Sequence, residues 1–127
     1  MSRLFQAYVM VDWSAAAKPA SGPDSIWIGV LKRNVRFQMA FEAHNPATRA
    51  EAEKLLDGVL AELKRKSERV LVGFDFPLGF PRGTAAALKL KGPPWRALMD
   101  FVGAEIKDKP TNVNNRFQVG AKMNRLM

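Results

Sequence analysis

Two aspartates have the type and setting to do chemistry. "YVMVDWSAA" carries an apolar run into Asp12, and "VLVGFDFPLGFP" carries another into Asp75. Each acid thus falls at the carboxyl end of a hydrophobic stretch. Two carboxylates within about 5 Å repel by roughly 3 kcal/mol at an effective dielectric near 20. Bringing them together therefore needs a cation, a shared proton or hydrogen bonds. A pair of hard oxygen ligands suits Mg2+ or Mn2+, which can activate water and neutralise a phosphate in transfer. The alternative is that each acid caps its own turn, Asp12 accepting from amides around Ser14 and Ala15, and Asp75 from those around Leu78.

Whether the two acids meet depends on the elements that carry them. Residues 5–11 form a near-continuous apolar run suited to a central strand. "SIWIGVL" at 25–31 reads as a second strand. "VRFQMAFE" at 35–42 reads as a third with one wet face, since Val35, Phe37, Met39 and Phe41 alternate with Arg36, Gln38, Ala40 and Glu42. "KRN" between these two is short enough for a hairpin, with Asn34 as its left-handed residue. A helix follows, opened by a capping box of Thr48 and Glu51, with Ala52, Leu55, Leu56, Val59, Leu60 and Leu63 on one face. Gly58 inside it costs about 1 kcal/mol relative to alanine, which points to close packing there. Residues 70–74 are a short, wholly apolar strand. The first three strands can pair antiparallel through short loops. The fourth needs the helix as a right-handed crossover and so lies parallel to the first. The expected sheet is mixed, of order 3-2-1-4. It places Asp12 and Asp75 at one edge, where the connections diverge and open α/β sheets take their ligands.

This order, with aspartates closing strands one and four, resembles the first half of a ribonuclease H-like fold. "VDWSAAAKPASGPDSIWIGV" together with "VLVGFDFPLGFPRG" is similar to an uncharacterised bacterial family of predicted nucleases with that fold. The resemblance implies a catalytic Mg2+ or Mn2+ held by Asp12 and Asp75. It also implies a further acid from the first helix, for which Glu51 is the nearest candidate; its capping role is the alternative. The superfamily takes another acid from a late helix, to which no residue is assigned, and its sheet has a fifth strand, absent after Phe74. "NNRFQVGAKMNRLM" reads as a helix still in progress. We therefore expect a single domain over residues 1–127, incomplete at its carboxyl end, whose open sheet edge would invite dimerisation.

The same core serves actin-like and sugar-kinase phosphotransferases, where the loop after strand one wraps a nucleotide's phosphates. "DWSAAAKP" offers Ser14 and Lys18 for that role but no glycine, so it is the weaker match. "FPLGFPRGTAA" puts Arg82 near a helix start, either as an anion ligand or within a rigid connector. "GPPWRALMDFVGAEI" is a Pro-initiated helix with Leu98, Phe101, Val102 and Ile106 inward; its Trp95 could stack on a base or anchor packing. "KPTNVNNRF" gathers Asn112, Asn114, Asn115 and Arg116, suited to a helix cap or to a phosphate or base edge. His44, the only histidine, is expected in an exposed loop far from either aspartate, which excludes a Ser-His-Asp hydrolase.

Composition narrows the classes further. A net charge of +8 attracts nucleic acid, anionic lipid or phosphorylated small molecules as partners. The Lys and Arg are scattered along the chain, however, and the densest run, Lys64 to Lys66, closes a helix, where cations complement the dipole, so an ordinary solvated surface is the alternative. With no cysteine, disulfides and thiolate metal sites are excluded. No apolar run approaches a membrane span, and no leader pattern is read at the start, so the expectation is a cytoplasmic protein. The expected activity is metal-dependent phosphodiester or phosphoryl chemistry at Asp12 and Asp75, with Arg82, Lys18 or Arg116 steadying an anionic substrate. The alternatives are an ATP-dependent phosphotransferase and a non-catalytic module for phosphorylated ligands or a protein partner.

Overall fold

A computed structural model describes residues 4–127; residues 1–3, on which part of the leader reading rests, lie outside the described residues. The chain falls into two compact units, residues 4–76 with 110–112, and Pro77–Lys109 with Val113–Met127.

The first unit is a mixed sheet with one helix. Strands β1 (Ala7–Asp12), β2 (Trp27–Arg33), β3 (Met39–His44) and β4 (Val70–Phe74) lie in the order β3-β2-β1-β4, and helix α1 (Arg49–Arg65) connects β3 to β4. β1 runs antiparallel to β2 and parallel to β4, the latter as the helical crossover requires. Ala7, Val9 and Val11 alternate into a core with Ile28 and Val30 from β2 and Ala52, Leu56 and Leu63 from α1. Thr48 Oγ1 accepts from the Glu51 amide at 3.2 Å, so the expected cap is present. Glu51 returns the bond to the Ala47 amide at 2.9 Å, one residue earlier than a standard box. The helix ends in a Schellman pattern. Ser67 sits at φ 54, its amide bonds Lys64 O, and the Glu68 amide bonds Leu63 O.

Several local expectations are corrected. β3 begins at Met39, because Val35 and Phe37 belong to the turn and are 96% and 81% exposed. The left-handed residue of that hairpin is Phe37, at φ 59. Asn34 instead closes the turn with its side chain, Oδ1 accepting the Arg36 and Gln38 amides at 2.9 and 3.1 Å. Gly58 is exposed and a Cβ there would meet nothing within 4 Å, so no close packing explains it. His44 ends β3 opposite Ile28 and is half-buried, with Nε2 3.6 Å from Glu42 Oε2. It is not in an exposed loop, since pairing with β2 runs two residues past Glu42.

The second unit is helical: α2 (Thr84–Ala87), α3 (Pro94–Glu105) and α4 (Arg116–Leu126). Pro94 opens α3, where its missing N–H has no helical partner to lose. Leu98 meets Ala85, Leu88, Val119 and Met123 in a small core, with Phe101, Val102 and Ile106 partly buried against it as the periodicity predicts. Among the described residues there is no fifth strand, and no helix is long and apolar enough to cross a membrane.

Candidate functional site

Parallel pairing brings the two acids together. Val11 stands opposite Phe74, so the next residues, Asp12 at the end of β1 and Asp75 just past β4, come side by side. Alternation puts both on the face opposite α1. Asp75 is held in place: its amide donates to Val11 O at 3.2 Å, and its Oδ1 accepts from the Trp13 amide at 2.9 Å, 62 residues away. It does not cap the turn at Leu78, because the neighbouring strand presents a donor first. With one proton between them, the Asp12 and Asp75 carboxyls can share a side-chain hydrogen bond. That bond is the largest cause of an Asp12 pKa raised above 3.8, followed by partial desolvation and the negative charges of Asp75 and Asp24. A neighbouring carboxylate disfavours the charged form of Asp12, so Asp12 is predisposed to take up a proton or to share a cation.

The pair stands at the end of an apolar shelf. A cavity of about 360 Å³ is lined by Met10, Val11, Asp12, Trp27, Gly29, Gly73, Phe74 and Asp75. Two glycines lower its floor. A Cβ on Gly73 would lie 2.6 Å from Met10 Sδ, and one on Gly29 would lie 3.0 Å from the Phe41 ring. Met10 and Phe41 can therefore lie flat across the strands only because these two positions carry no side chain.

The long loop from Trp13 to β2 is pinned by Arg49 and Asn45, which the sequence did not flag, and by Asn112. Arg49 is buried at the first turn of α1; its guanidinium donates to Ser14 O at 3.2 Å, to Ala16 O at 2.9 Å and to Asn112 O. Asn112 Oδ1 accepts the Arg49 amide at 2.8 Å, while Nδ2 donates to Lys18 O and Ala47 O. Asn45 does the same further along, accepting from the Gly22 amide at 2.6 Å and donating to Ser25 Oγ and Ile26 O. Nothing in the local spacing of Arg49 or Asn45 marks these roles, since the partners come from distant segments. The Asn-rich stretch did carry a signal, but its outcome is structural. Besides Asn112, Asn115 Oδ1 accepts the Lys107 amide and Nδ2 donates to Glu105 O, and Asn114 Oδ1 accepts from Arg116.

The remaining candidates divide. Ser14 Oγ accepts the Ala16 amide at 3.2 Å and donates to Asp24 O at 3.4 Å, serving the loop's own turn. Lys18 is exposed on the same loop. Glu51 is engaged as the cap of α1, and among the described residues no three His, Cys, Asp or Glu side chains converge as a metal-holding group. Arg82 and Arg116 belong to the second unit, where Arg116 lies over the Phe117 ring at 4.7 Å. No protein-family model, no curated protein and no solved structure matches the chain, so its site is read from geometry alone.

Proposed function

We propose that this is a ribonuclease H-like α/β protein that carries out divalent-metal-dependent phosphodiester hydrolysis at Asp12 and Asp75. The observation that carries the reading is the β1–β4 register, which sets two carboxylates side by side on one face of the sheet. The donor set fits a hard cation. Both acids are exposed, so Asp12 and Asp75 would leave a hard cation they held most of its waters, as Mg2+ favours. The raised pKa of Asp12 supports the same fit, because positive charge between the carboxyls would relieve what raises it. When bound, such an ion supplies Lewis acidity and a more acidic water. The chain's own part is orientation: the Trp13 amide fixes Asp75, and Arg49, through Ser14 O and Ala16 O, fixes the loop that leaves Asp12. Lys18 on that loop supplies a cation for an anionic substrate.

Thermal unfolding with and without ~1 mM Mn2+ tests the site. A ligand bound only by the folded state at ~100 μM affinity adds more than about 1 kcal/mol at that concentration. The expected result is a shift that Asp12→Asn removes, together with Mn2+-dependent cleavage of an oligonucleotide that the same substitution abolishes. A wild-type protein with no shift and no cleavage would refute the reading.

A further inference from the structure

The positive charge is divided unevenly between the two units. The second unit holds nine Lys and Arg against three Asp and Glu; the remainder of the chain holds eleven against nine. Some of the nine are engaged locally: Arg96 lies 3.5 Å from Asp100 and Lys122 lies 2.6 Å from Glu105. Arg82, next to Gly83 at φ 95, is exposed, and among the described residues no acid lies within ion-pair distance of it. It stands on the rim of a cavity of about 430 Å³ whose apolar lining includes Phe80, Pro81, Pro94, Trp95 and Leu98. Trp95 donates Nε1–H to Leu78 O at 2.8 Å, which fixes the indole, yet 57% of the residue remains exposed. A fixed, half-exposed indole beside an uncompensated guanidinium is a platform for a flat ring that carries a negative charge next to it.

We propose that the second unit is a binding surface for single-stranded nucleic acid, with a base stacked on Trp95 and its phosphate met by Arg82. The charge decides in favour of a polymer. One guanidinium would serve a single nucleotide, but the excess of cations is a property of the whole unit and matches a run of phosphates. The shape decides in favour of a single strand, since a base still paired in a duplex cannot leave the stack to enter the cavity. Nothing in this site requires the metal pair, and binding here would stand even if Asp12 and Asp75 held no ion.

Fluorescence anisotropy of the full chain with fluorescein-labelled 15-mers of deoxythymidine and of uridine, at ~50 mM salt in EDTA, tests the surface apart from any metal chemistry. Binding is expected for at least one of the two strands. Arg82→Glu is expected to weaken it about 10-fold or more with an unchanged melting temperature, because the residue is exposed. Arg82→Ala should reduce the log–log salt slope by about 0.7, one single-strand phosphate contact. Trp95→Ala should cost about 10-fold or more and Trp95→Phe much less, since the ring and not its N–H meets the base. The proposal is overturned if neither strand binds in EDTA, or if Arg82→Glu binds as tightly as wild type. It is also overturned if a duplex of the same length binds equally well, or if uridine monophosphate competes at the oligonucleotide's own affinity. A missing Mn2+ shift beside intact strand binding would instead count against the metal site alone.

Discussion

In the first unit Arg49 is buried with its guanidinium on the carbonyls of Ser14, Ala16 and Asn112, whereas in the second Arg82 is exposed beside an apolar cavity with no acid in reach among the described residues. The same side chain is consumed by the fold in one place and left over in the other. Where a charged group is surrounded by oriented main-chain partners, its role ends with holding the chain. Where its charge is uncompensated, the compensation has to come from solvent or from a ligand. The acid pair follows the second pattern inside the first unit: Asp75 has one amide donor, and Asp12 has chiefly another carboxyl for company. The same contrast appears among the asparagines, since Asn45, Asn112 and Asn115 are taken up by backbone groups. Candidate ligand-binding groups are therefore better sought among uncompensated charges than among polar residues clustered in sequence.

Exchanging the two arginines for alanine would break this comparison most directly. Arg49→Ala strips a buried donor from several carbonyls at once, and each buried group left unsatisfied costs about 1–3 kcal/mol. A loss of about 3 kcal/mol or more is expected in urea unfolding, accompanied by loosening of the loop that follows Asp12. Among the described residues the Arg82 side chain makes no hydrogen bond or ion pair, so Arg82→Ala should leave stability within about 0.5 kcal/mol of wild type. Equal losses for the two variants would mean that burial of the guanidinium does not separate their roles.

Much of the first unit was legible from sequence because apolar runs and connection lengths constrain pairing strongly. The short turn between β2 and β3 makes those strands neighbours, and the strand joined through a helix must return parallel, as in the order 3-2-1-4 that brings Asp12 to Asp75. The alternation from Val35 to Glu42 was misleading at its start, because period two persists through the turn and does not say where the ladder begins. Arg49 was invisible for a different reason. An arginine in a first helical turn reads as solvated, and its burial depends on carbonyls up to 63 residues away. The charge asymmetry was present in the composition, but it emerges only once the first unit is known to give way to the second after residue 76. Before that the cations look evenly scattered.

A smaller effect is expected at the acid pair, and its sign follows from linkage. Asp12 has a folded pKa raised above 3.8 by its hydrogen bond to Asp75, partial desolvation and the nearby acids. A carboxyl shifted upward stabilises the fold most below its unfolded value, and that contribution is lost as pH rises through the folded one. At pH 7 without metal, the ionised pair therefore works against folding. Asp12→Asn should melt higher than wild type in EDTA at pH 7, and the gap should close as pH falls towards 3.8. Adding Mn2+ should reverse the order, since only the wild type retains both carboxylates. A variant less stable than wild type in EDTA would mean that hydrogen bonds to the ionised carboxylate outweigh the repulsion.

The smallest expected effects lie in α1 and the turn that ends it, where a glycine and a serine are each in the less favourable place. Gly58 is exposed in mid-helix, its φ is not positive, and a Cβ there would touch nothing within 4 Å. Gly58→Ala should therefore stabilise by about 0.5–1 kcal/mol, chiefly by reducing the freedom of the unfolded chain. Ser67 occupies the left-handed position of the Schellman turn at φ 54, where glycine is favoured. Ser67→Gly should relieve the cost of holding a Cβ in that region, again by less than about 1 kcal/mol. The sites are nine positions apart along the helix and share no partner, so the double variant should show the sum in urea unfolding. A glycine that fails to help at 67 would show that the turn is held by the Leu63 and Lys64 carbonyls strongly enough to absorb the strain. A destabilising alanine at 58 would mean that the exposed face of α1 is covered in the working protein. That outcome would move the search for a partner from the second unit to the helix side of the sheet.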